Sequence, residues 1–177
     1  ENEAGNGPQG FSSYATRFWL PNNGTPDFDN YWYTFVAGSV QVVSLQNDDV
    51  CYQDAGNTYI HGYSNGAQRR WLRRVLADAR SNPAIDWIVV CMHQVAMSSA
   101  HFNGADLGIR QQFLPLFDKY GVDLVVAGHE HHFERTFPVR GVLPGSSLLT
   151  PAPQDSDPAE IDTSAGTRSP SSAAAAS

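Results

Sequence analysis

The stretches Ile88-Val89-Val90-Cys91-Met92-His93 and Leu124-Val125-Val126-Ala127-Gly128-His129-Glu130-His131-His132 decide how this chain folds. Each is an apolar, mostly β-branched run that ends on histidine. A continuous apolar run suits a strand covered on both faces, the habit of parallel strands in α/β proteins. Residues 106–120 between them carry a helical pattern, so the unit reads as strand, crossover helix, strand. A right-handed crossover brings His93 and the His129 cluster to the same carboxyl edge of one sheet, where such proteins bind ligands.

Outward from this unit, Gln68, Trp71, Leu72, Val75, Leu76 and Ala79 recur at helical spacing. They predict a helix from a cap at Ser64 or Asn65 to about Arg80, laid on one sheet face. Arg69, Arg70, Arg73 and Arg74 fall on its other side and read as a solvated surface. A second helix starts near Asp106, is kinked or restarted at Pro115 and stops at Gly121. Upstream, residues 31–36 and 39–45 around Ala37-Gly38 give a hairpin signal, followed by a long loop over residues 47–63. Residues 1–30 read as mostly loop, anchored by aromatic side chains. Downstream, residues 131–139 alternate like a strand and residues 140–153 read as loop. The tail, residues 168–177, has no periodic face and reads as disordered, which leaves residues 1–167 as one folded unit.

Bulk composition agrees with a single core: 177 residues, 41% hydrophobic and 11% aromatic. A formal charge of -7 and a pI near 5.2 exclude a general nucleic-acid or anionic-membrane surface, because both need clustered Lys and Arg. No apolar run reaches the roughly 18 residues needed to span a bilayer, and residues 1–20 lack the pattern of a signal peptide. Cys51 and Cys91 are too few for a disulfide scaffold. Cys91, inside the strand before His93, reads as a buried free thiol.

Imidazole nitrogen is a ligand for Zn, Fe, Mn and Cu. Gly128 permits a sharp turn after the second strand, so that His129 and His131, on a loop, can reach two different metal ions. With residues 92–99 (MHQVAMSS), residues 128–135 (GHEHHFER) and the DLGIRQQFLPLFDKYGVDLVVA between them, the chain resembles the calcineurin-like metallophosphoesterases, nearest their purple acid phosphatase branch. The resemblance covers about residues 1–167. It implies a partial α/β/β/α sandwich that lacks its N-terminal strands. It also implies hydrolysis of phosphoric esters at a dinuclear centre of iron with zinc, manganese or a second iron, which polarises phosphate and activates water.

Carried over by the resemblance, His93 and His129 bind one metal and His131 the other. His101 matches a histidine that contacts phosphate or protonates the leaving group. Glu134-Arg135 matches a pair expected to form a structural salt bridge rather than to act in catalysis, and His132 takes no role. Members of this kind are usually exported, which favours a secreted or extracytoplasmic location.

The family centre also needs two aspartates, a tyrosine and a GNH asparagine, none of which this sequence supplies upstream. Its first residues, ENEAGNGP, resemble the segment that comes directly after GNH in the family. The expectation is therefore a partial domain, inactive alone and holding at most one divalent metal. Two alternatives stay open: a non-catalytic remnant binding a single ion, and half of a two-chain enzyme with an N-terminal partner. At the other end, Ala173 to Ala176 looks like a glycine run read one base out of frame.

Overall fold

The computed structural model describes residues 8–52, 61–100, 103–157, 159, 166–167 and 170–171. Aromatic and β-branched residues form the first two strands, β1 (Tyr33–Ala37) and β2 (Val40–Ser44), which pair antiparallel. The two-residue turn between them places Gly38 at φ 63°, a backbone that glycine adopts without cost. The expected hairpin is therefore present.

The two histidine-tipped runs are β3 (Trp87–Met92) and β4 (Leu124–Ala127), and they lie side by side. β2, β3 and β4 are mutually parallel, with Val43, Val90 and Val125 in one row and Val42, Val89 and Leu124 in the next. Successive side chains on a strand point to opposite faces, so these rows belong to the two faces of the sheet. The first row is buried completely; the second, with Cys91 and Val126, is only half-buried.

Crossovers are helical. After α1 (Pro8–Ala15), helix α2 (Ala67–Ser81) connects β2 to β3, and α3 (Leu107–Gln112) with α4 (Leu114–Tyr120) connects β3 to β4. α2 buries Gln68, Trp71, Leu72, Leu76 and Ala79 and leaves its four central arginines exposed, as the periodicity requires. Pro115 falls in the first turn of α4, where its missing N–H costs nothing, and Gly121 closes that helix in the left-handed conformation. The core gathers Trp32, Leu72, Leu76, Ile88, Phe113 and Phe117 beneath these helices.

Elsewhere the fold departs from the pattern of the sequence. Residues 8–15, expected as loop, form α1, whose Phe11 stacks on Tyr31 with ring centroids 4.0 Å apart. The cap residue of α2 is Gly66 at φ 73°, not Ser64 or Asn65. Ser64 still serves the first turn, its hydroxyl oxygen accepting from the Gln68 amide at 3.3 Å, while Asp49 accepts from both its amide and its hydroxyl. The alternating stretch after the histidines yields only β5 (Glu134–Arg135). Residues 140–153, expected as loop, contain most of β6 (Val139–Val142) and all of β7 (Pro151–Pro153), a separate antiparallel pair. Within the tail, Pro170–Ser171 forms β8, parallel to β4 and antiparallel to β5, and the other residues of 168–177 lie outside the described residues. The main sheet thus runs β1-β2-β3-β4-β8-β5.

Candidate metal centre

Three neighbouring strands deliver their carboxyl ends to one place. β2 continues through Leu45, whose amide donates to the Cys91 carbonyl at 2.9 Å, into a 3-10 turn over Asn47–Asp49. β3 ends at His93, and after β4 the Gly128 amide donates to the His93 carbonyl at 3.0 Å. The ladder thus extends one residue beyond the strands and fixes His93 beside the second histidine loop.

Asn47, buried in the turn, grips the chain on which His93 sits. Its amide donates to the Gln94 carbonyl at 3.0 Å, and its side-chain oxygen accepts from the His93 and Gln94 amides at 3.3 and 3.4 Å. Asp48 accepts from the Gln94 side chain at 3.1 Å, and Asp49 accepts from Ser64 and, at 3.2 Å, from Gln68 on α2. These hydrogen bonds tie the turn to the end of β3 and to α2. Sequence reasoning missed these residues by treating residues 47–63 as loop. The signal was there: Asn-Asp-Asp follows an apolar strand just as the histidines do.

The second loop folds tightly. Glu130 and His132 each donate their amide two residues back, to Gly128 and Glu130, at 2.7 Å. The sharp turn expected at Gly128 falls instead on His129, at φ 67°, a region that costs a residue with a Cβ. A Cβ at Gly128 would make only an ordinary contact with the His93 ring, at 3.5 Å, so the glycine is not required by that neighbour.

The result is a close pair. His129 is buried and His93 exposed, and His129 Nδ1 lies 3.1 Å from His93 Nε2, the rings edge to face with centroids 4.9 Å apart. At 3.1 Å one ring nitrogen donates to the other, the tautomer deciding which, and neutral imidazole nitrogens are of the donor type that transition metals take.

His131 is exposed, and among the described residues no group of three or more His, Cys, Asp or Glu is placed to hold an ion. His101 lies outside the described residues. Glu134 accepts from the Ser99 amide at 3.0 and 3.1 Å and pairs with His132 at 3.0 Å. Burial alone would raise the Glu134 carboxyl, but the Ser99 amide and His132 outweigh it and hold the group below its usual range. His132, given no role by the sequence, thus anchors a loop.

Both cysteines are free, Cys51 buried and Cys91 half-buried. Burial, with Asp106 and Asp48 nearby, pushes the Cys51 thiol far up.

The sequence profile described as calcineurin-like phosphoesterase matches residues 3–133. The uncharacterized protein Rv2577 of Mycobacterium tuberculosis is 59% identical over 169 residues, 94% of this chain and 32% of that protein. Purple acid phosphatase 23 of Arabidopsis thaliana is 33% identical over 127 residues, 71% of this chain and 25% of that protein. The chain thus spans a third or less of the length of these relatives. Among solved structures, the purple acid phosphatase PPD1 from yellow lupin seeds shares the fold, with a TM-score of 0.61 and 20% identity over 93% of this chain and 26% of that one.

Proposed function

Since the chain belongs to the calcineurin-like phosphoesterase family, we propose that it is part of a metal-dependent phosphoric ester hydrolase of the purple acid phosphatase branch, with a dinuclear centre in the complete enzyme. The observation that carries this reading is the 3.1 Å approach of His93 and His129 at adjacent parallel strand ends.

In this reading His93 and His129 hold one ion and His131 the other, iron with zinc, manganese or a second iron. The remaining ligands come from outside these residues, and the chain alone is inactive. When bound, such ions would supply polarisation of the ester and activation of water. The chain's own part is to aim the imidazoles: Asn47 fixes the main chain of His93, and the Gly128 amide ties the two loops together. His101 contacts the phosphate or supplies the proton to the leaving group. The substrate is a phosphate ester, and neither nucleic acid nor membrane is a partner. No described helix is long and apolar enough to cross a membrane, and a secreted or extracytoplasmic location rests on the family resemblance.

A second reading is favoured by the lack of a group of three ligating residues among the described ones: a non-catalytic chain that binds one ion, or half of a two-chain enzyme. Cobalt titration of the full chain, run beside an assay with 4-nitrophenyl phosphate, separates these. The expected outcome is one bound cobalt ion, weakened about tenfold or more in His93→Ala and His129→Ala, near normal in His131→Ala, and no turnover. Turnover by the chain alone that is lost in His93→Ala would overturn the inactivity. An absence of cobalt binding would overturn the metal role of the histidine pair. Turnover restored by a separately made N-terminal segment of a close relative would identify the two-chain form.

A further inference from the structure

Glu130 sits between two histidines on a strand-end loop, and by composition it is a candidate ligand. The structure gives it a different task. It is buried, 2% exposed, and its carboxylate oxygen Oε1 accepts from the Gly104 amide. Gly104 stands at φ 77°, the left-handed region that glycine adopts freely, so the donor is presented by a backbone shaped for that purpose. Beside it, the Asn103 side chain donates to the His129 carbonyl at 3.0 Å. The segment at residues 103–104 therefore holds the histidine loop at two successive residues.

Burying a carboxylate is costly unless it is hydrogen-bonded, and Glu130 is bonded across loops rather than into a ligand group. Its main chain is the centre of the two tight turns, accepting from the His132 amide and donating to the Gly128 carbonyl, both at 2.7 Å. His129, the residue just before it, carries the strained φ of 67°. A strained conformation persists only when its surroundings over-determine it. The Gly104 and Asn103 tethers are such surroundings.

We infer that Glu130 is a positioning residue: by capturing the Gly104 amide it locks the main chain of His129 so that the ring meets His93, and it is not itself a ligand. The inference rests on the proposed metal role of that histidine pair for its consequence, though not for the geometry it asserts. Partners that orient a ligand imidazole are worth about 10–100-fold in metal affinity. Glu130 contributes an acceptor, so glutamine, which keeps a carbonyl oxygen at the same reach, should substitute for it.

The test is cobalt(II) titration of the full chain and of Glu130→Ala, Glu130→Gln and Asn103→Ala, with nuclear Overhauser contacts between the His93 and His129 rings measured without metal. We expect Glu130→Ala to bind cobalt about 10–100-fold more weakly, Glu130→Gln to stay within about threefold of the parent and Asn103→Ala to fall between them. The ring contact should be lost in Glu130→Ala and kept in Glu130→Gln. Glutamine as damaging as alanine would overturn the inference in favour of a ligand role, and so would an alanine variant that binds like the parent. If the parent chain binds no cobalt, the metal reading fails by itself. The ring contacts then decide the positioning role: loss in alanine with retention in glutamine supports it, and retention in both overturns it. Should Glu130→Ala lose its cooperative thermal transition, Asn103→Ala and Glu130→Gln carry the same comparison.

Discussion

Asp118 on α4 shows how a single carboxylate is set by the groups that pack over it. Burial raises its pKa from the ordinary 3.8, only partly offset by the Gly141 amide, which donates at 2.8 Å, and by Arg140. With the folded value above the unfolded one, the folded state holds more protons, so stability falls as pH rises from 3.8 through the folded pKa and stays lowered above it. Asp118→Asn keeps the acceptor for Gly141 and removes the charge. It should raise the melting temperature at pH 7 and change nothing below about pH 3.8. Equal melting curves for both proteins at pH 7 would show that the burial is not felt. Residues of this kind were illegible in the sequence. Asp118 meets Gly141 across 23 positions and Asn47 meets Gln94 across 47, whereas His93 and His129 were found because each follows an apolar strand of its own.

At the scale of elements, the legible parts are those that local rules decide. The α2 stripe, the restart at Pro115, the stop at Gly121 and the parallel pair β3 and β4 all follow from periodicity and backbone chemistry. The pair β6 and β7 was hidden because Pro151, Pro153, Gly141 and Gly145 argue against strands, although proline is tolerated on an edge. α1 was hidden because its residues have no strong helical preference, and its Phe11 ring finds Tyr31 only in the folded chain. The start of α3 is decided by contact as well as by capping. The buried Asp106 caps it by accepting from the Ile109 amide at 3.0 Å and also takes the Tyr52 amide at 2.8 Å, which draws the segment after the 3-10 turn against the helix. Gly108 lies in that seam: a Cβ there would fall 1.8 Å from the Val50 carbonyl oxygen and 2.8 Å from its carbon. Backbone cannot rotate away as a side chain can. Gly108→Ala should therefore cost about 3 kcal/mol, at the upper end for an overpacked site, despite alanine's better helix propensity. A denaturant midpoint equal to or above the parent's would show that the seam opens freely.

The whole molecule is asymmetric about its sheet. One face carries the complete row Val43, Val90 and Val125 under the helices; the other leaves Val42, Val89, Leu124 and Val126 half-buried, with Trp87 exposed. β1 forms one end of the sheet order and exposes Phe35 and Val36 beside an edge that no described strand pairs. An apolar edge next to a thinly covered apolar face is a template for further strands and a surface for hydrophobic ligands. The isolated chain should accordingly bind a hydrophobic dye such as anilinonaphthalene sulfonate in native buffer and associate as its concentration rises. Val36→Lys places a charge on that edge, where surface substitutions alter stability by no more than about 0.5 kcal/mol. Sedimentation should show the variant less associated at equal concentration with an unchanged melting temperature. A chain that stays monomeric, excludes the dye and melts in one sharp transition would mean that the half-buried row is cover enough, and that the sheet does not need a second layer to be stable.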